Sequence, residues 1–194
     1  MGLIITADHH FSHPGIITSC QRPFADTDEM NAALVHAWNE VVAPGDDVFH
    51  LGDFAWRGRR TELEAIFDRL NGNKYLLPGN HDDRVVRRLP WKAILPPIHE
   101  VRVGEEILVL SHYPLKTWNK ARYGTRQLYG HVHGRIPATR QSIDVGVDSW
   151  GYRPVPVERL VAVMDTFPAV VPRDGDPIIS YADVETDLAP APRP

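Results

Sequence analysis

Side chains that bind metal ions occur in this chain as five short groups, separated by apolar or helix-forming stretches. In chain order the groups are Asp8-His9-His10, Gly52-Asp53, Gly79-Asn80-His81-Asp82, Ser111-His112 and Gly130-His131-Val132-His133-Gly134. Carboxylates, amide oxygens and imidazoles without a thiolate suit Mn²⁺, Fe or Zn²⁺ in an open catalytic site better than a closed structural zinc site. A single Gly-Asp or Ser-His pair is common by chance, so the indication of metal chemistry comes from the combination.

Two of the groups contain ligand-type residues spaced two apart, Asp8 with His10 and His131 with His133. On an extended backbone, alternate side chains point to the same side. The spacing therefore predicts that each pair reaches one site together.

Short apolar runs of strand length precede these groups. They cover residues 3–6, 48–51, 75–77, 107–110 and 127–129, and similar runs follow at 143–147 and 160–164. Runs of this length that end in polar or glycine-containing turns are typical of strands. Because loops at the carboxyl ends of strands in α/β sheets converge on one crevice, we expect the five groups to meet there.

Helical patterns lie between the early strands. Residues 28–42 have apolar side chains near helical spacing after the capping candidates Asp26 and Thr27, and residues 61–70 begin with Thr61 and Glu64 at capping-box spacing. This alternation followed by strands predicts the α/β class. We expect one domain over residues 1–166, followed by a Pro- and Asp-rich tail over residues 167–194.

The composition narrows the functional classes. The chain has 194 residues, 43% hydrophobic and 24% charged, as expected for a globular protein. Its apolar stretches are shorter than a membrane span, and the single Cys20 has no internal disulfide partner, so we expect a cytoplasmic protein without a membrane association. A net charge of -4 argues against non-specific binding to duplex DNA, although many basic residues follow the metal-binding groups.

The ordered series D-x-H, G-D, G-N-H-D, S-H and G-H-x-H resembles the motifs of the calcineurin-like metallophosphoesterase superfamily. The stretches HHFSHPGI, QRPF, SHYPLKTWN and VGVDSWGYRP further resemble a small prokaryotic and phage branch of that superfamily. The resemblance implies a four-layer α/β/β/α sandwich with two mixed sheets.

The resemblance also implies roles for individual residues. Asp8, His10 and His133 would bind one metal ion, Asn80, His112 and His131 would bind the other, and Asp53 would bridge the two. Two divalent cations are implied, Mn²⁺ first, with Fe, Zn²⁺ or Ni²⁺ also suited to these ligands. A metal-bridging hydroxide would attack phosphorus, and His81 would be the catalytic histidine that faces the phosphate.

One departure from the superfamily pattern concerns the second motif. The protein-phosphatase branch has G-D-x-x-D-R-G, whereas this chain has Trp56 where the second Asp belongs. That Asp normally partners the catalytic histidine, so protein phosphatase activity of that branch is not expected.

The candidate substrate-binding residues are His13, Arg57 and Tyr113. The departure at Trp56 weakens the assignment of phosphate binding to Arg57. His9 is assigned a structural role.

We expect a phosphodiester substrate, with a nucleotide or single-stranded nucleic acid as its carrier and no stable protein partner. The Trp56 departure, a chain too short for a cap domain, and basic residues beside Tyr113 favour this choice. The alternatives are a phosphomonoesterase with the same mechanism, a non-catalytic interaction scaffold with this fold, and a metal-dependent hydrolase of non-phosphate substrates.

Overall fold

The computed structural model describes residues 2–170, which form nine strands and four α-helices. The strands are β1 (Leu3–Thr6), β2 (Asp47–His50), β3 (Asn73–Leu76), β4 (Ala93–Ile94), β5 (Ile98–Val103), β6 (Glu106–Ser111), β7 (Arg126–Tyr129), β8 (Ser142–Asp144) and β9 (Val155–Pro156). The helices are α1 (Pro14–Ser19), α2 (Thr27–Val41), α3 (Arg60–Arg69) and α4 (Val157–Asp165). Short 3-10 helices occur at Val86–Arg88, Ala121–Tyr123 and Val147–Ser149.

Both sheets are mixed, which confirms the predicted fold class. The first sheet has the order β4-β3-β2-β1-β9, with β9 antiparallel to β1 and the other pairs parallel. The second has the order β5-β6-β7-β8, with β5 antiparallel to β6 and the other pairs parallel. Parallel pairing brings the carboxyl ends of β1, β2 and β3 to one edge of the first sheet, and those of β6 and β7 to one edge of the second.

The first sheet is buried on both faces. In β1, Ile4 packs into a cluster with the helix residues Leu34 and Leu63, whereas Ile5 belongs to a second cluster with Leu108 and Leu128 of the other sheet. Successive strand residues point to opposite faces, so one run of apolar residues fills both layers. Helices α2 and α3 thus cover the outer face of the first sheet, and the two sheets pack against each other.

Two predicted details are wrong. Residues 160–164 lie in α4 rather than in a strand: Val157, Leu160 and Met164 are buried at helical spacing, and a short apolar run does not distinguish a strand from a buried helix. The capping box at Thr61 is absent, because α3 already begins at Arg60 and its N-cap, Arg59, makes no side-chain capping bond. By contrast, the carboxylate of Asp26 accepts a hydrogen bond from Glu29 N at 2.9 Å and caps α2 as predicted.

The predicted tail is described only at its start. Phe167 packs against the core between the sheets, and the backbone N–H of Arg140 donates to the Pro168 carbonyl at 3.0 Å. The rest of the predicted tail, residues 171–194, lies outside the described residues, and the domain boundary at residue 166 stays a prediction. Among the helices of residues 2–170, not one has the length and apolar character that crossing a membrane requires.

Candidate active site

The five groups meet at the common edge formed by the strand ends. Hydrogen bonds join their loops directly: Asp8 N donates to the Gly52 carbonyl at 3.0 Å, and His131 N donates to Asp8 Oδ2 at 2.8 Å. The seven predicted ligands are Asp8, His10, Asp53, Asn80, His112, His131 and His133, and they lie in these connected loops. The structure therefore brings together residues that are up to 125 positions apart in the chain.

The backbone at these residues is not extended, which corrects the geometry expected for the spaced pairs. Positive φ angles occur at Asp8 (60°), His10 (52°), Asp53 (58°), His131 (73°) and His133 (50°). Such conformations cost free energy for residues other than glycine and persist where the surrounding structure enforces them. The members of each pair do converge, but through turns held by hydrogen bonds between loops.

The first cluster consists of Asp8, His10 and His133, whose ligand atoms lie within 4.8 Å of one another. Asp8 Oδ1 and both ring nitrogens of His10 are buried and have no hydrogen-bond partner among the described residues. Burial raises the pKa of Asp8 well above its usual value and lowers the pKa of His10 to about 2. Unpaired polar atoms in the interior are costly, and a cation bound among them satisfies their lone pairs, so these residues fit a divalent metal.

The second cluster consists of Asp53, His112 and His131, again within 4.8 Å. His112 Nδ1 donates to the Leu51 carbonyl at 2.8 Å, so Nδ1 carries a proton and Nε2 is left to face the site. The side-chain oxygen of Asn80 lies 3.0 Å from this Nε2. Two ligand-type atoms that converge in this way also fit a shared cation.

Asp53 lies between the clusters. Its Oδ2 is 3.6 Å from His10 Nε2 and 3.5 Å from His112 Nε2, while its Oδ1 accepts a hydrogen bond from His81 N at 2.8 Å. Although burial raises the pKa of Asp53, the hydrogen bond and charge of His112 hold it at about 2. A carboxylate in this position can contact cations in both clusters.

Asp82 clamps the loops after β2 and β3 together. Its carboxylate is buried and accepts three backbone hydrogen bonds of 2.8 Å, from Asp53 N, Phe54 N and Gly79 N. Burial raises the pKa of Asp82, and the backbone hydrogen bonds oppose that rise. The position of Asp53 thus depends on Asp82.

His81 lies at the open side of the site. Its side chain is 29% exposed, its Nε2 is 3.9 Å from Asp53 Oδ2, and its ring packs edge-on against Trp56 at a centroid distance of 4.6 Å. A nitrogen of His81 also lies within 4.8 Å of ligand atoms on His10 and Asp53. Trp56 therefore contacts the imidazole through its ring, at the place where the protein-phosphatase motif has a carboxylate.

The three candidate substrate-binding residues surround this opening. His13 stacks on Trp56 at 4.7 Å, and the Arg57 guanidinium lies over the same indole at 4.8 Å. On the other flank, the Tyr113 hydroxyl donates to the Asn80 side-chain oxygen at 3.4 Å, and its ring packs against His131. Within residues 2–170, His9 is not part of the clusters around Asp53, and its buried Nδ1 is hydrogen-bonded to His50 Nε2 at 2.9 Å.

Three buried or partly buried charged residues next to the ligands were not predicted from the sequence to take part in the site: Arg22, Asp144 and Asp148. Asp144 accepts hydrogen bonds from Gly134 N and Gly146 N, both at 2.7 Å, and so holds the loop that follows His133. Although burial raises the pKa of Asp148, hydrogen bonds from His133 and Arg22 hold it at about 2. The available signal for Arg22 and Asp148 was the pair of stretches QRPF and VGVDSWGYRP, to which no role was assigned, whereas Asp144 lies just before the second stretch.

Residues 1–158 match the calcineurin-like phosphoesterase family, and the chain therefore belongs to this family and is a hydrolase of phosphoester bonds. The uncharacterized protein MJ1445 of Methanocaldococcus jannaschii is 30% identical over 176 residues, covering 84% of this chain and 91% of that protein. Gene 66 protein of Mycobacterium phage D29 is 30% identical over 176 residues, covering 75% of this chain and 87% of its own length.

A solved structure shares the fold. The protein of unknown function AQ665 from Aquifex aeolicus aligns with a TM-score of 0.68 at 22% identity, covering 84% of this chain and 98% of that one. This likeness shows the fold, whereas the relatives from Methanocaldococcus jannaschii and Mycobacterium phage D29 agree with the small prokaryotic and phage branch that the sequence indicated.

The close approach of Gly79 to Asp53 yields a prediction. A Cβ at Gly79 would lie 2.7 Å from Asp53 N and even closer to Asp53 Oδ1, so Gly79→Ala displaces the carboxylate between the clusters. We expect this variant to lose about 1–3 kcal/mol of unfolding free energy and to bind less Mn²⁺ per chain than wild type. Denaturant unfolding and elemental analysis measure the two effects.

Gly45→Ala is the matched control, since a Cβ at Gly45 meets no atom of residues 2–170 within 4 Å. It should stay within about 0.5 kcal/mol of wild type and bind metal normally. Wild-type metal content in Gly79→Ala contradicts the dependence of the site on this contact.

Proposed function

We propose that the chain is a two-metal phosphodiesterase that acts on a nucleotide or on single-stranded nucleic acid. The binding of two metal ions is supported by the position of Asp53 Oδ2, which lies 3.6 Å from His10 Nε2 and 3.5 Å from His112 Nε2. A carboxylate shared between two ligand clusters suits a pair of neighbouring cations, such as those of two-metal phosphoester sites.

In this proposal the first cation is held by Asp8, His10 and His133, the second by Asn80, His112 and His131, and Asp53 contacts both. Mn²⁺ is the proposed ion, and Fe, Zn²⁺ and Ni²⁺ suit the same mixture of carboxylate, amide and imidazole ligands. Such cations, when bound, supply Lewis-acid activation of the phosphate and of a water nucleophile.

His81 is the proposed catalytic residue of the chain itself. Its backbone N–H bonds Asp53 Oδ1, which fixes the residue next to the shared carboxylate, and its partly exposed ring faces the opening where substrate enters. A positioned imidazole can protonate the leaving oxygen or stabilise charge on the phosphate. Packing against Trp56 restricts the ring to this orientation.

The proposed diester substrate is supported by the two flanks of the opening. A diester carries an organic group on each side of phosphorus, so both flanks must admit substrate. Tyr113 is 49% exposed on one flank and can accept the face of a base, while the exposed Arg57 on the other can pair with a neighbouring backbone phosphate. His13 extends the wall formed by Trp56 and is proposed to contact the substrate there.

Replacing His81 separates catalysis from metal binding. We expect His81→Ala to retain both metal ions and to lower kcat by roughly 10²- to 10⁴-fold, the usual contribution of a general acid. Elemental analysis gives metal per chain, and turnover of an aryl phosphodiester gives kcat.

The control is His36→Ala, because the His36 side chain is 77% exposed and its ion pair within residues 2–170 is with Glu40 in α2, at 3.4 Å. It should leave metal content and kcat unchanged. If His81→Ala loses metal while keeping its activity per bound metal, His81 is a ligand and its assignment as the catalytic residue is wrong.

The substrate class is tested by comparing kcat/KM for an aryl phosphomonoester, the matching diester and a short single-stranded oligonucleotide, at fixed Mn²⁺ and salt. The diester or the oligonucleotide should be preferred at least tenfold, a difference of ~1.4 kcal/mol in transition-state stabilisation. Asp53→Ala, prepared identically, should be inactive and reports contaminating activity.

A tenfold preference for the monoester makes the protein a phosphomonoesterase with the same site. Equal activity of Asp53→Ala and wild type removes support for catalysis at this centre and favours the interaction-scaffold alternative.

A further inference from the structure

A buried ion pair connects the two sequence stretches that the metal ligands leave unexplained. Arg22, in QRPF, is 4% exposed, and its Nε and Nη2 donate to Asp148 Oδ1 and Oδ2 at 2.8 and 2.9 Å. Asp148 lies in VGVDSWGYRP, 126 positions away. A bidentate pair of this kind fixes the relative orientation of both planar groups as well as their distance.

The same guanidinium also binds the backbone of the first metal loop. Arg22 Nη1 donates to the His9 carbonyl at 2.8 Å, and Nη2 donates to the Asp8 carbonyl at 2.8 Å. These bonds reach the segment that has positive φ at Asp8 and His10. Arg22 therefore holds the backbone that aims Asp8 and His10 at the first cluster.

Asp148 acts on the third member of that cluster. Its Oδ2 lies 2.7 Å from His133 Nδ1. The bidentate contact with Arg22 marks Asp148 as an ionised carboxylate, which only accepts hydrogen bonds, so His133 Nδ1 must be the donor. The proton is then fixed on Nδ1, and Nε2 keeps the lone pair that a metal ligand needs.

Cys20, His133 and Asp148 also lie close enough together to suggest a separate metal site, beside a cavity of about 220 Å³. The hydrogen bonds favour another role. Both oxygens of Asp148 already accept from Arg22, and a buried guanidinium next to them opposes a further cation. The carboxylate is thus occupied in orienting His133.

We infer that Arg22 and Asp148 are positioning residues for the Asp8–His10–His133 metal site, with Asp148 setting the tautomer of His133 and Arg22 joining Asp148 to the Asp8–His10 loop. This inference rests on the proposed two-metal function. According to this inference, the site formed by Asp8, His10 and His133 depends on Arg22 and Asp148. The site formed by Asn80, His112 and His131 does not.

Asp148→Asn tests the inference with little change in shape. An amide replaces one of the two acceptor oxygens with a donor, so it cannot accept all three hydrogen bonds, from His133 Nδ1 and from Arg22 Nε and Nη2, and at least one contact becomes donor against donor. Calorimetric titration of the metal-free full chain with Mn²⁺ should show two sites in wild type. In the variant, Kd should rise roughly 10- to 100-fold at one site and stay unchanged at the other.

Turnover provides a second readout. Diester hydrolysis by Asp148→Asn should be impaired at low Mn²⁺ and return towards the wild-type kcat as Mn²⁺ is raised, since the defect lies in affinity. Glu64→Gln is the matched control: its carboxylate also accepts from an arginine, Arg60 Nε, at 2.8 Å, but in an exposed pair on α3. This control should bind both ions normally.

Arg22→Lys keeps the positive charge but loses the bidentate contact with Asp148, so it should lower the Mn²⁺ affinity of the same site. This variant replaces Asp148→Asn as the test if Asp148→Asn fails to fold. Two unchanged Kd values in both folded variants, or a loss of turnover that excess Mn²⁺ does not restore, would overturn the inference. A wild-type protein that binds fewer than two ions instead refutes the two-metal function, so the two failures are distinguishable.

Discussion

The Asp53 carboxylate lies at the meeting point of two clusters of lone-pair atoms, and the surrounding loops keep it there. Its Oδ2 is about equally far from His10 and His112, its Oδ1 is bonded to His81 N, and its own backbone N–H is bonded to the buried Asp82. Carboxylates and imidazoles buried together with unfilled lone pairs are unfavourable by themselves. Divalent cations offset that cost, so the same polar atoms that oppose folding of the metal-free chain favour binding of metal.

This concentration of polar groups is possible because the carboxyl ends of parallel strands from two stacked sheets lie at a common edge. The loops then depart from regular geometry, with positive φ at Asp8, Asp53 and His131, and with Gly79 at a distance from Asp53 that leaves no room for a side chain. Local strain of this kind persists because contacts between loops enforce it. Asp82 supplies these contacts on the β2 and β3 side of the site, and Arg22 supplies them at the loop after β1.

Strand-length apolar runs and ligand-type residues that recur together predict the α/β class and the convergence of the five groups, and the resemblance to the superfamily implies the two mixed sheets. Prediction from the sequence fails where a decisive contact is distant in sequence or where local patterns are ambiguous. The run at residues 160–164 fits a strand as well as a buried helix, and the spacing of Asp8 and His10 suggests an extended backbone that their φ angles exclude. The pairing of Arg22 with Asp148 spans 126 positions and leaves no local pattern, and only the assembled fold shows that Trp56 packs on His81.

Two cations are proposed to bind on either side of Asp53. Anomalous diffraction from crystals of the full chain grown with Mn²⁺, collected at the manganese absorption edge, tests this proposal most directly. We expect two anomalous peaks about 3.5–4 Å apart, one among Asp8, His10 and His133 and the other among Asn80, His112 and His131, with Asp53 Oδ2 between them. A single peak at saturating Mn²⁺, or two peaks that Asp53 does not contact, would contradict the proposal.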